Sequence, residues 1–202
     1  MWELESGELG TVSEIRSEMV AKLQDYYISR VFTALANIWG PVNTPNNYTA
    51  VANLTAAALR NAINEINYTS NVRAVVGTRR GLAPITQFAG FHTDGVNTVA
   101  NNEGISEIYR TGWVGRWYGA PIVALDQIWN NPIDYVPQIP NRYVLVIADA
   151  VGEFITYGEP KWKEWTEMQP TPPDWFVEVY TQFGLLVDNA IGIYVIDITS
   201  LA

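Results

Sequence analysis

The sequence has no cysteine and a single histidine, His92. Disulfides and thiolate metal sites are therefore excluded, and neither a reducing nor an oxidising compartment is favoured. Basic residues are scarce: 12 Lys and Arg stand against 21 Asp and Glu, a formal charge of −9. Nucleic-acid binding by phosphate neutralisation needs clustered cations. The densest basic spot, Arg73, Arg79 and Arg80, is too small to supply them. No apolar run approaches the ~20 residues of a membrane helix. The opening residues MWELESGELG are acidic and carry no apolar segment, so they do not read as a signal peptide. The expectation is a soluble chain with no membrane contact.

Apolar residues are abundant, at 48% of 202. That is ample for one domain, or for two small lobes sharing a chain. The helical signals come first. Thr11 to Trp39 carries Val12, Ile15, Met19, Leu23, Tyr26, Arg30, Ala34 and Ile38 at steps of three or four, which predicts one stripe along a long helix. Thr11-Val12-Ser13-Glu14 fits a capping box, and Gly40-Pro41 ends the helix. Such a helix spans about 40 Å, the length of a spine rather than of an ordinary core helix. A second helix is expected from a cap at Asn53 to about Asn67, with Leu54, Ala58, Leu59, Ile63 and Ile66 inward.

Val72 to Val76 reads as a strand, Leu82 to Phe88 as a short helix, and Phe91 to Glu103 as a Gly- and Asn-rich loop. Ile105 to Trp117 is read as a helix ending before Gly119, Ala120 to Asp126 as a strand, and Asn131 to Pro140 as a Pro-rich connector. The last third is mostly extended: Asn141 to Asp149, Gly152 to Gly158, then a Trp-rich connector, Trp175 to Val187, and Gly192 to Ile198. Within Trp175 to Leu185, residues Trp175, Val177, Val179, Phe183 and Leu185 fall on one face of an extended strand, broken only by Thr181. That period of two indicates a sheet with one dry and one wetter face. Helices first and strands last make the class α+β.

This order resembles the tailed-phage major capsid protein family, the Hong Kong 97 fold. The segments that carry the likeness are Leu54 to Val76, Trp113 to Leu125 with its Gly-Ala-Pro-Ile-Val element (Gly119 to Val123), and Tyr143 to Ile196 with the step Val187 to Ile191. The resemblance implies a long spine helix, a long-stranded peripheral sheet and an inserted axial lobe. It assigns 1–70 and 149–187 to a peripheral-type lobe and 71–148 and 188–202 to an axial-type lobe. It implies a major capsid subunit that self-assembles, through hexamers and pentamers, into the icosahedral shell of a tailed double-stranded DNA phage. Such a subunit resides in the virion after assembly in the host cytoplasm. Packaged DNA would be touched only loosely and without specificity. Family members usually carry an N-terminal arm and an extended loop before the spine, and a spine that starts about ten residues in implies that both are lacking here.

The chemistry-like signals are thin. His92 with Asp94 sits in a loop with no nucleophile to serve, and catalysis needs several groups converging. Glu164, Glu167 and Asp174 lie among Trp162, Trp165 and Trp175, a mixture that suits a glycosidic carboxylate pair or a sugar-stacking surface. Aromatic enrichment equally marks protein interfaces. Asn47, Asn53 and Asn67 open N-x-Thr triplets, and Gly112, Gly115 and Gly119 lack the Lys-Ser/Thr of a phosphate loop. The expectation is therefore a non-enzyme, with no catalytic residue, cofactor or metal. Trp162, Trp165, Trp175 and Tyr157 are the candidates for subunit contacts. Two alternatives stand beside the capsid subunit: an encapsulin-like nanocompartment shell protein, and a carbohydrate-binding domain using the Trp-rich connector.

Overall fold

The computed structural model describes residues 12–40, 46–88, 115–129, 136–167 and 174–202. They form two compact units, one from residues 12–30, 152–167 and 174–186, the other from 31–40, 46–88, 115–129, 136–151 and 187–202. Helix α1 runs unbroken over Val12–Ala36, 25 residues and so about 37 Å. Its residues through Arg30 count with the first unit and the remainder with the second. The capping residue Thr11 lies outside the described residues. The buried stripe differs from the one expected. Ile15, Met19 and Leu23 turn inward, but Tyr26, Arg30 and Ala34 are exposed, and Tyr27, Phe32, Leu35 and Ala36 take the inner positions. After Leu23 the inner track advances by four residues to Tyr27, not by three to Tyr26. Tyr26 stays 41% exposed at the edge of the stripe, its ring edge-on to Phe183 at 6.3 Å and its hydroxyl accepting a hydrogen bond from Arg30 Nε at 2.8 Å.

The second unit is built on a six-stranded mixed sheet ordered β1-β10-β5-β2-β4-β3. Its strands are β1 (Tyr48–Val51), β2 (Val72–Thr78), β3 (Arg116–Trp117), β4 (Ala120–Leu125), β5 (Tyr143–Ala148) and β10 (Ile193–Ile198). The pairs β1–β10 and β2–β4 are parallel, whereas β10–β5, β5–β2 and β3–β4 are antiparallel. Helix α2 (Ala56–Thr69) packs on this sheet and buries Leu59, Ala62, Ile63 and Ile66 against Val75, Val144, Val146, Tyr194 and Ile196. Its cap is Thr55, whose hydroxyl accepts from Ala58 N at 3.2 Å, and not Asn53. Asn53 is instead held by Ser200, whose hydroxyl donates to Asn53 Oδ1 at 3.0 Å. With Asn53 tied there, the nearer hydroxyl fills the capping position.

Two further expectations change. The short helix begins earlier, as α3 (Arg79–Leu82), and continues as a 3₁₀ turn over Ala83–Gln87. Arg116–Trp117 is a strand rather than the end of a helix, because Tyr118-Gly119 closes a two-residue hairpin onto Ala120. Both turn residues have positive φ, 50° and 82°, the geometry that suits the twist of a tight hairpin. The expected loop at Phe91–Glu103 and the stretch before Gly115 lie outside the described residues. Gly81 has a steric role: a Cβ there would sit 2.7 Å from the Asn141 carbonyl oxygen.

Strand β10 is buried along its whole length, so its sequence IYVIDI shows no wet face. Its one charge, Asp197, is 4% exposed. Arg142 meets it with both branches, Nε to Oδ1 at 2.7 Å and a terminal nitrogen to Oδ2 at 2.6 Å, and the Tyr48 hydroxyl donates to Oδ2 at 2.9 Å. These contacts join β10 to β1 on one side and to the start of β5 on the other. The bond to Asp197 raises the Arg142 pKa further. Burial, followed by Asp197, raises that of Tyr48. Burial, followed by the Glu65 carboxylate, raises that of Tyr194.

In the first unit, β6 (Gly152–Thr156) pairs with β9 (Phe183–Val187), and β7 (Lys161–Glu167) pairs with β8 (Asp174–Tyr180). The expected single strand from Trp175 to Val187 is thus two strands in two sheets, parted at Thr181-Gln182. The alternation expected along it persists: Val177, Val179, Phe183 and Leu185 are half-buried and their neighbours exposed. Tyr27 anchors the β6–β9 pair to α1, with its ring 4.7 Å from Phe183 and 5.6 Å from Phe154.

Two outcomes are expected of the second unit. Asp197→Ala strands a partly buried guanidinium and should cost about 3 kcal/mol in denaturant unfolding. Both phenols are held above their ordinary value near 10, so the unfolded chain gives up these protons first as pH rises. Their contribution is complete below about pH 10 and fades as pH climbs through the folded-state values. Tyr194→Phe should flatten the alkaline fall in melting temperature.

Candidate functional site

The Trp-rich segment is a strand, not a connector. Lys161–Glu167 pairs antiparallel with Asp174–Tyr180 over seven residues, from Lys161 opposite Tyr180 to Glu167 opposite Asp174. The correction has a simple cause. KWKEWTE alternates its aromatic and charged side chains imperfectly, and it becomes a strand because β8 supplies a full ladder of backbone partners. Every residue of β7 is exposed.

The period of two sorts the side chains of this ribbon. Trp162, Glu164, Val177 and Val179 share one face. Arg16 of α1 forms an ion pair with Glu164, and its guanidinium lies over the Trp162 ring at 5.9 Å. Val179 joins Ile15, Met19, Leu23 and Tyr26 along a shallow apolar groove. The outer face carries Lys161, Lys163, Trp165, Glu167, Phe176, Glu178 and Tyr180. Trp165 stacks on Phe176 at 5.3 Å with an interplanar angle of 12°, and Lys163 Nζ lies 4.9 Å from the Trp165 ring centre.

The structure separates the candidate contact residues. Trp162 and Trp165 belong to opposite faces, at 38% and 37% exposure. Tyr157 is 78% exposed, just before Gly158, while its backbone N–H donates to Gln182 O at 2.9 Å. The side chain of Trp175 lies outside the described residues, as do His92 and Asp94. Phe176 and Tyr180, which sequence reasoning passed over, complete the outer face. Their signal was present in WFVEVY, where they fall on the alternate positions from Val177 and Val179.

This geometry does not assemble a carboxylate pair. Glu164 and Glu167 project to opposite faces, and Glu164 is already paired to Arg16. Among the described residues, no group of three His, Asp or Glu side chains is arranged to hold a metal. The three triplet asparagines have structural partners. Asn47 is buried and donates to the carbonyls of Ile191 and Ile193, Asn53 accepts from Ser200, and Asn67 Oδ1 accepts from Val72 N. Gly119 is the turn residue described above, and Gly115 O accepts from Ile122 N at 2.9 Å. Gly112 lies outside the described residues.

No protein-family model matches the chain, and no curated protein matches it. Solved structures do. A chain of Mycobacterium phage Che8 superposes with a TM-score of 0.61 at 15% identity, over 94% of this chain and 64% of that one. A phage-related protein from Bordetella bronchiseptica gives a TM-score of 0.61 at 10% identity, over 95% of this chain and 69% of that one. This chain therefore spans a little under two thirds of the length of the Che8 chain. At these identities the likeness is one of fold. Spine helix, mixed sheet and short two-stranded ribbons in place of the expected long-stranded sheet make this an α+β chain, and its likeness to these structures gives it the Hong Kong 97-type phage capsid fold.

Proposed function

We propose that the chain is a major capsid-type subunit that self-associates into the shell of a tailed double-stranded DNA phage. The observation that carries this is the fold itself, matched over nearly the whole chain to a structure of Mycobacterium phage Che8 and to a phage-related protein. A fold alone does not fix a function. The surface supports the same reading, since a two-stranded ribbon exposes Trp162, Trp165, Phe176 and Tyr180. Large aromatics in thin, solvent-facing elements are typical anchors of protein contacts. The peripheral-type lobe would correspond to the unit that holds most of α1 and the two ribbons, and the axial-type lobe to the unit built on the six-stranded sheet.

The reading gives the chain no catalytic role. The net charge of −9 supports a lining that leaves packaged DNA loosely held, because few cations are available to displace its counterions. Self-contact is the partner interaction, in rings of five and six, and the virion is the place where it acts.

Light scattering on a size-exclusion column, followed by negative-stain microscopy, tests the reading directly. Rings or closed shells are expected; a monomer at every concentration would overturn it. A second outcome concerns the aromatics. Replacing Trp165 and Phe176 together with Ala should weaken association while leaving the melting temperature nearly unchanged. A steep loss of thermal stability with association intact would place both side chains in the subunit's own core.

A further inference from the structure

The outer face of the β7–β8 ribbon has an ordered charge pattern. Across the register the pairs are Lys161 with Tyr180, Lys163 with Glu178, Trp165 with Phe176, and Glu167 with Asp174. One end is thus basic, the other acidic, and two stacked aromatics lie between. The opposite face is engaged by α1 through Arg16 and the apolar groove. On the outer face Trp165, Phe176 and Tyr180 are 37%, 37% and 48% exposed.

We propose that this face binds the same face of a second copy of the chain about a twofold axis. The inference rests on the shell reading and adds to it the contact and its symmetry. A twofold contact uses one patch twice, so the patch must complement itself. An axis lying across the ribbon at the level of Glu164 swaps its ends. It sets Lys161 opposite Glu167 of the second copy, and Lys163 opposite Trp165 of the second copy. The Tyr180 end then faces the Asp174 end. Each cation meets an anion or an aromatic ring, and each contact occurs twice. An axis along the strands would instead set Lys161 opposite Tyr180 of the second copy and leave Glu167 with no cation to face.

The size of the patch sets its strength. Seven residues of strand extend about 23 Å, and two strands are about 10 Å wide. That is a few hundred Å², well below the ~800 Å² per partner of a stable complex. The contact is therefore weak alone and acts alongside others in an assembly. Its role is to set register, which charge order does well.

Charge reversal on the full chain tests this. In Lys161→Glu both twofold contacts become acid against acid; in Glu167→Lys both become base against base. Each variant alone should associate about tenfold more weakly in sedimentation velocity at low salt. An equimolar mixture of the two should recover association, because each reversed residue then faces its opposite. The double variant Lys161→Glu with Glu167→Lys should also recover by itself. Exposed substitutions of this kind should leave the melting temperature near that of the parent, which controls for misfolding. If the parent assembles but the variants assemble equally well, or neither mixture nor double variant recovers, the twofold contact is overturned and the shell reading stands. A parent that is monomeric throughout overturns both.

Discussion

The fold depends on seating the last strand in the interior of the sheet. β10 lies between β1, formed more than 140 residues earlier, and β5, and both of its faces are dry. Burial of Ile193, Tyr194, Val195, Ile196 and Ile198 drives this placement through removal of apolar surface from water. The same burial makes Asp197 a hazard, since an unpaired carboxylate at that depth is strongly unfavourable. Arg142 and Tyr48 answer it with three hydrogen bonds from the two neighbouring strands. A slip of β10 by one residue would bury the carboxylate on the opposite face, away from both partners. The cluster therefore fixes register as well as satisfying a charge.

Around that sheet, other polar groups settle the loops. Gln127 takes the backbone N–H groups of Ile128 and Ile139 on one oxygen and gives its amide to the Ile139 carbonyl and the Asn141 side chain. Thr78 donates to that same Asn141 oxygen while capping the turn at Gly81. Close backbone approach at Gly81 leaves no room for a side chain. Trp39 reaches the Ile193 carbonyl, which ties the segment after α1 to the start of β10. Most of these contacts join residues a dozen or more positions apart in sequence.

The other unit follows a different rule. Its strands form thin two-stranded ribbons with little behind them except the first turns of α1. Two strands cannot enclose a core, so aromatic side chains stay at the surface or cover only one side. Tyr27, Phe154 and Phe183 make one small cluster, and Trp165 with Phe176 make another that remains open to water.

The sequence by itself determined the class and the order of elements. It contained the long helix ending near Gly40, the amphipathic α2, the apolar runs of β2, β4, β5 and β10, and the alternation from Val177 to Leu185. These signals are local, set by periodicity and by residues that stop or turn the chain. Only the tertiary structure decided the rest. Whether the helix stripe steps to Tyr26 or Tyr27 depends on what α1 packs against, and KWKEWTE is a strand because β8 lies beside it. Arg116–Trp117 pairs back through a turn whose positive φ angles a helical reading cannot supply. The meeting of Arg142, Asp197 and Tyr48, and the division of Trp162 from Trp165, rest on strand pairing between segments distant in the chain. Local pattern carries the propensity of each segment, but pairing partners and faces are fixed only when remote segments bury one another's surface.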